Sequence, residues 1–197
     1  MNKIKYLLAM LLLVFTSCSD GNANENVSSP QNQTTETGKA LIVYFSWSGN
    51  TRTVANIIHE LTGCDMIEIE AEEPYSDVYN EVTARARQEL DNNIFPTLQT
   101  QVENMDKYDI LIVGTPIWSS RLAPPVKSFL ASHDLSGKKI LPFCTHGGSG
   151  TARSVDNIRD LCPDSEILQP LAIYGSHAGS SENEVRQWLQ NAGLLDR

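Results

Sequence analysis

The sequence predicts a doubly wound α/β protein of three layers, a five-stranded parallel sheet with helices on both faces. Three observations carry this. Five short apolar runs alternate with segments whose apolar residues recur at helical spacing, and that alternation builds a parallel sheet with crossover helices. One run, Ile110-Leu111-Ile112-Val113-Gly114, is continuous and β-branched, as a strand covered on both faces must be. Another, Leu41-Ile42-Val43-Tyr44-Phe45, passes directly into Ser46-Trp47-Ser48-Gly49-Asn50-Thr51 and then into a helical pattern. That is strand, tight turn and helix in one stretch.

The elements follow in order. After the first strand, Val54, Ile57, Ile58 and Leu61 mark one helix face, and Gly63 falls where a C-cap belongs. Met66-Ile67-Glu68-Ile69-Glu70 alternates apolar and acidic, which suits an edge strand with one wet face. Tyr75 to Leu90 reads as a helix with Val78, Val82, Ala86 and Leu90 inward. Its Glu81–Arg85 and Arg85–Glu89 spacings read as a solvated face, each pair worth only a few tenths of a kcal/mol. The third strand closes at Thr115-Pro116, a loop runs through Ile117 and Trp118 to Arg121, and Pro124-Pro125 opens a helix that buries Val126, Phe129 and Leu130. Lys139 to Cys144 is the fourth strand. Pro142 lies inside it and calls for an edge or a bulge, because proline cannot donate to a ladder. Thr145 to Gly150 is a loop before a helix with Val155, Ile158 and Leu161 inward. A last strand falls at Leu171 to Tyr174. Ser181-Glu182-Asn183-Glu184 has capping-box spacing, and Val185, Trp188, Leu189 and Ala192 form the final stripe.

The first amides of a helix have no partner within it. Those after Gly49 open into a turn that also offers the hydroxyls of Ser46, Ser48 and Thr51. Amides, hydroxyls and the positive end of a helix dipole make an anion site that suits a phosphate. The turn has no lysine for a nucleoside-triphosphate loop and only one glycine, where a dinucleotide fingerprint needs three. In a doubly wound sheet ligands bind beyond the carboxyl ends of the strands. Two further loops there carry unusual residues: Thr115, Pro116, Ile117 and Trp118, and then Thr145, His146, Gly147 and Gly148. Trp118 either stacks on a flat ligand or folds back as a packing plug. His146 reads as an exposed loop residue and Cys144 as a small buried hydrophobe. No nucleophile triad, carboxylate pair or metal-ligand spacing stands out.

With 24 acidic and 15 basic residues the net charge is −9, and there is no basic block. Nucleic acid is excluded as a natural partner, whereas docking to a basic protein suits this surface. Residues 1–17 read as a signal peptide, with Lys3 and Lys5 before the apolar run Tyr6 to Phe15. Phe15-Thr16-Ser17-Cys18 resembles a bacterial lipobox, so Cys18 is the expected lipidation site. Residues 18–39 are polar and read as a flexible tether, leaving residues 40–197 as the domain. The expected location is therefore periplasmic or cell-envelope, with membrane contact through the lipid alone. Cys64, Cys144 and Cys162 form no Cys-x-x-Cys pair; a Cys144–Cys162 bridge stays open.

Four pieces carry a family resemblance: Ser46-Trp47-Ser48-Gly49-Asn50-Thr51, Asn104 to Asp109, Gly114-Thr115-Pro116-Ile117-Trp118, and Phe143 to Gly150. Together they resemble the flavodoxin family, from about Ala40 to the C-terminus, and most of all its stand-alone bacterial domains. The resemblance implies strand order 2-1-3-4-5 and non-covalent FMN. It implies phosphate contacts at Ser46, Ser48, Gly49, Asn50 and Thr51, with Trp47 beside them, and ring contacts at Thr115 to Trp118 and Thr145 to Gly148. Classic flavodoxins carry a second ring-stacking aromatic in the third loop; here that loop is His146-Gly147-Gly148. The expected function is electron transfer through FMN to a redox partner protein or a small electron acceptor. The alternatives are an FMN-dependent NAD(P)H:quinone-type reductase, or a flavodoxin scaffold that has lost its cofactor and serves as a binding module.

Overall fold

The computed structural model describes residues 38–196. The expected signal peptide, the Cys18 anchor and nearly all of the expected tether lie outside the described residues.

The central sheet starts with β1 (Ala40–Tyr44), α1 (Asn50–Thr62), β2 (Asp65–Glu68) and α2 (Tyr79–Asp91). It continues with β3 (Ile110–Trp118), β4 (Arg121–Leu122), α3 (Pro124–Ala131) and β5 (Lys139–His146). Then come α4 (Ser154–Leu161), β6 (Glu166–Ile167), β7 (Leu171–Tyr174) and α5 (Glu182–Asn191). The order is β2-β1-β3-β5, with β6 and β7 sharing the far side of β5, and all these pairs are parallel. Counting β6 and β7 as one broken strand and β4 as a side hairpin, this is the order 2-1-3-4-5. Alternate residues of the central strands feed two cores. Leu41, Val43, Leu111 and Val113 meet Phe129 of α3 and Ile158 of α4 on one face. Ile42, Ile112 and Phe143 meet Ile58 of α1 and Trp188 of α5 on the other. Gly114 is required where these layers are tightest: a Cβ there would run into the Phe143 ring and the Tyr44 Cβ.

Several elements differ from expectation, each for a physical reason. Helix α2 starts at Tyr79, not Tyr75, because Ser76 competes for the local backbone groups. Its hydroxyl accepts from the Val78 N–H and donates to Glu81, and its carbonyl accepts from the Trp47 indole N–H at 2.9 Å. Val78 consequently stands 54% exposed, outside the core stripe. The Arg85–Glu89 pair is no solvated face. Glu89 is buried, takes the Tyr75 hydroxyl at 2.5 Å and Arg85 Nε at 2.8 Å, and Arg85 lies over the Tyr75 ring. Strand β3 continues through Thr115 to Trp118, and Ser119 and Ser120, both at positive φ, turn it back into β4. The capping box does not form: the Ser181 hydroxyl donates to the Ala178 carbonyl instead. The outer rim of β2 is covered by the segment 97–100. There the Thr100 hydroxyl donates to the Glu68 carbonyl and accepts the Glu70 N–H.

Pro142 sits in the interior strand β5, opposite Val113, rather than at an edge or bulge. The Lys139 N–H donates to the Asp109 carbonyl of the β3 side, while the Ile140 carbonyl accepts from Leu168 on the other side. By alternation the Pro142 nitrogen faces away from β3, toward the gap between β6 and β7. The missing donor costs nothing where the neighbouring strand is itself interrupted. Cys64, Cys144 and Cys162 are free thiols.

Candidate functional site

The carboxyl ends of β1, β3, β5 and β7 converge on one rim. At β1 the chain leaves the sheet after Phe45 and turns into α1 through Gly49, the N-cap, at φ +88°. An L side chain is strained in that conformation, so the glycine is needed for the turn. Within the turn the Arg52 N–H is bonded to the Ser46 hydroxyl oxygen at 3.2 Å, and the Thr53 N–H to the Gly49 carbonyl at 2.9 Å. The N–H groups of Ser48, Gly49, Asn50 and Thr51 find no acceptor among the described residues. They are orphan donors at the positive end of a thirteen-residue helix. Arg52, the cation of that first turn, is held by Glu68 through two bonds of 2.6 and 2.8 Å. An anion bound here is therefore held by neutral dipoles.

A cleft of about 300 Å³ opens beside this turn. Trp47, Ser48 and Asn50 line it from the first loop; Pro116, Ile117 and Trp118 come from the end of β3; Thr145, His146 and Gly147 come from the end of β5. All three sequence-predicted segments thus meet in one place. Trp118 does two things at once: it faces the cleft and packs edge-on against Phe45 at 5.4 Å and Tyr75 at 5.1 Å. Trp47 is fixed by its bond to Ser76. Gly147 has open space where a Cβ would stand. Gly148, at φ +134°, donates its N–H to His146 Nδ1 at 2.9 Å, which places a neutral His146's own proton on Nε2.

Not every predicted residue presents its side chain to the cleft. The Thr51 hydroxyl is buried and bonded to the Thr145 hydroxyl at 2.8 Å. It ties α1 to β5, while the Thr51 backbone N–H has no acceptor among the described residues. The Thr115 hydroxyl is equally committed, donating to the Pro116 carbonyl and accepting the Ala123 N–H. His146 closes β5 and is half-buried rather than a loop residue.

Sequence reasoning missed a fourth wall, Tyr174-Gly175-Ser176 at the end of β7. Tyr174 is 45% exposed, and His146 stands edge-on to its ring at 5.5 Å. The signal was available: an aromatic followed by Gly-Ser at the carboxyl end of a strand, on the rim where ligands bind. The site joins bare amides, flat aromatic faces and a glycine left without hindrance. That donor set fits a phosphate-ended molecule with a flat ring.

A doubly wound sheet with such a turn and cleft defines a phosphate-binding α/β domain. A model of the flavodoxin family matches residues 39–192, and the chain belongs to that family. Solved structures agree. A protein assigned as a flavoprotein from Bacteroides eggerthii is 27% identical, with 79% of this chain and 98% of that one covered and a TM-score of 0.70. Its counterpart from Bacteroides uniformis is 25% identical over 78% and 98%, again at 0.70. A flavoprotein from Lactobacillus acidophilus, solved in complex with FMN, shares the fold at 24% identity, 73% and 97% coverage and a TM-score of 0.62. No curated protein matches the chain.

Proposed function

We propose that this domain holds FMN non-covalently and passes electrons through it between a donor and an acceptor, while a lipid on Cys18 keeps it at the cell envelope. The observation that carries the reading is the set of unpartnered amides at residues 48–51, opening into a cleft walled by Trp118, His146 and Gly147. Family membership and the FMN complex of the Lactobacillus relative support it. The bound group supplies the ability to take up and release electrons. The chain's own residues do the rest. The amides of Ser48 to Thr51 hold the phosphate dianion without a counter-charge. Trp47 and Trp118 offer apolar faces to a flat ring and keep water from it. The net charge of −9 favours a basic protein as the electron donor. Gly147, Gly148 and Ser149 are exposed and leave one side of the cleft open, which favours the reductase as the second reading.

The test compares FMN with riboflavin, which differs by the phosphate alone. Charge-assisted hydrogen bonds contribute about 1.5–3 kcal/mol each, so riboflavin binds at least about a hundredfold more weakly by fluorescence titration. Equal affinity would overturn the phosphate site. Turnover of NADH or NADPH with a quinone would replace the carrier by the reductase.

A further inference from the structure

A second cavity, of about 420 Å³, adjoins the cleft and shares Trp47, Ile117, Trp118 and Gly147 with it. Its far wall is a single face of α2, formed by Tyr79, Val82, Thr83, Ala86 and Arg87, at spacing i, i+3, i+4, i+7 and i+8. Val82 and Ala86 are buried and make an apolar floor; Tyr79, 67% exposed, stands over it against Trp47 at 6.3 Å. Three aromatic rings therefore border one space. Arg87 is exposed on its rim and, among the described residues, makes no ion pair. Arg85, two positions earlier, is spent on Glu89. In a chain of net charge −9, a cation without a carboxylate partner on the wall of an aromatic cavity is open to an anionic ligand.

We propose that this cavity binds a flat aromatic compound carrying an anionic substituent, its ring against Tyr79 over the Val82 and Ala86 floor and its anion on Arg87. That the occupant is the small electron acceptor rests on the function proposed above; the binding site itself does not. Aromatic walls with an apolar floor select flat rings. The surrounding acidic surface repels anions, so Arg87 sets which anionic ring enters.

Anthraquinone-2-sulfonate is the probe, with binding read by equilibrium dialysis on the full chain, both loaded with FMN and free of it. Arg87→Gln weakens binding about three- to fivefold, as an exposed ion pair allows, Arg87→Lys restores part of it, and added salt removes the difference. Tyr79→Ala weakens binding by about the same factor through lost stacking, at any salt concentration. FMN affinity is unchanged by Arg87→Gln. Release of FMN by the probe, absence of binding, or equal binding by wild type and both variants would each overturn the site. A chain that takes up no FMN but binds the probe with this pattern defeats the electron-transfer reading and leaves the cavity standing.

Discussion

At the scale of single residues, the Thr51–Thr145 hydroxyl pair is the sharpest departure from what the sequence suggests. Both hydroxyls are buried and 2.8 Å apart, across ninety-four positions of chain. Thr51→Val or Thr145→Val alone strands one buried hydroxyl, which costs about 1–3 kcal/mol; removing both is close to neutral. Denaturant midpoints of the two single variants and the double variant check this. FMN affinity stays within about twofold in Thr51→Val, since the Thr51 hydroxyl is bonded to Thr145 and leaves the proposed phosphate contact to the Thr51 amide. A tenfold loss would return the hydroxyl to the binding site. The turn itself was legible because strand, glycine and helix start are local features. Hydroxyl partners were not, because a serine or threonine at a helix start looks the same whether it faces a ligand or a neighbouring strand.

At the scale of elements, the strands and helices were legible from periodicity, but their ends were decided by tertiary contact. Ser119-Ser120 carries no Asn-Gly signal, so the hairpin from β3 to β4 was hidden. Pro142 looked like a defect because the break between β6 and β7 is visible only once the sheet is assembled. The same assembly delivers Tyr174 to the cleft. Tyr174→Leu lowers FMN affinity about three- to tenfold, the worth of one aromatic stacking contact, and leaves the denaturation midpoint in place because the ring is half in solvent. An unchanged affinity would make Tyr174 a bystander on the rim. The segment before α2 behaves in the opposite way. Glu89 is 6% exposed, with Arg85 and the Tyr75 hydroxyl as its partners. Arg85→Ala leaves that carboxylate buried without its counter-charge and costs about 3–5 kcal/mol, far beyond what an exposed i,i+4 pair is worth. Tyr75 also braces Trp118, so Arg85→Ala loosens the cleft along with the fold.

At the scale of the whole molecule, the two cores hold weak acids that resist ionisation. Burial, reinforced by the Glu68 carboxylate, pushes the Tyr44 phenol up to about 12. Burial alone pushes the Cys144 thiol up to about 12 and Cys162 up to about 11. Tyr75 is raised too, by burial and then by its bond to Glu89. Each of these groups binds its proton more tightly folded than unfolded. Unfolding therefore releases protons once the pH passes the ordinary thiol and phenol values, near 9 and 10. The sign follows: their contribution is complete below about pH 9 and is lost progressively as the pH rises toward 12. Denaturant midpoints measured from pH 7 upward should fall steeply above about pH 9, and the fall should be shallower in Tyr44→Phe, which has no phenol to ionise. Tyr44 sits at the end of β1, shortly before the unpartnered amides of Ser48 to Thr51; its hydroxyl donates to Glu68, which also holds Arg52. Ionising the Tyr44 phenol sets a second negative charge beside Glu68 at the base of the binding turn, so FMN release should move to higher pH in Tyr44→Phe in the same titration. FMN release at the same pH in both proteins would separate the binding turn from this ionisation.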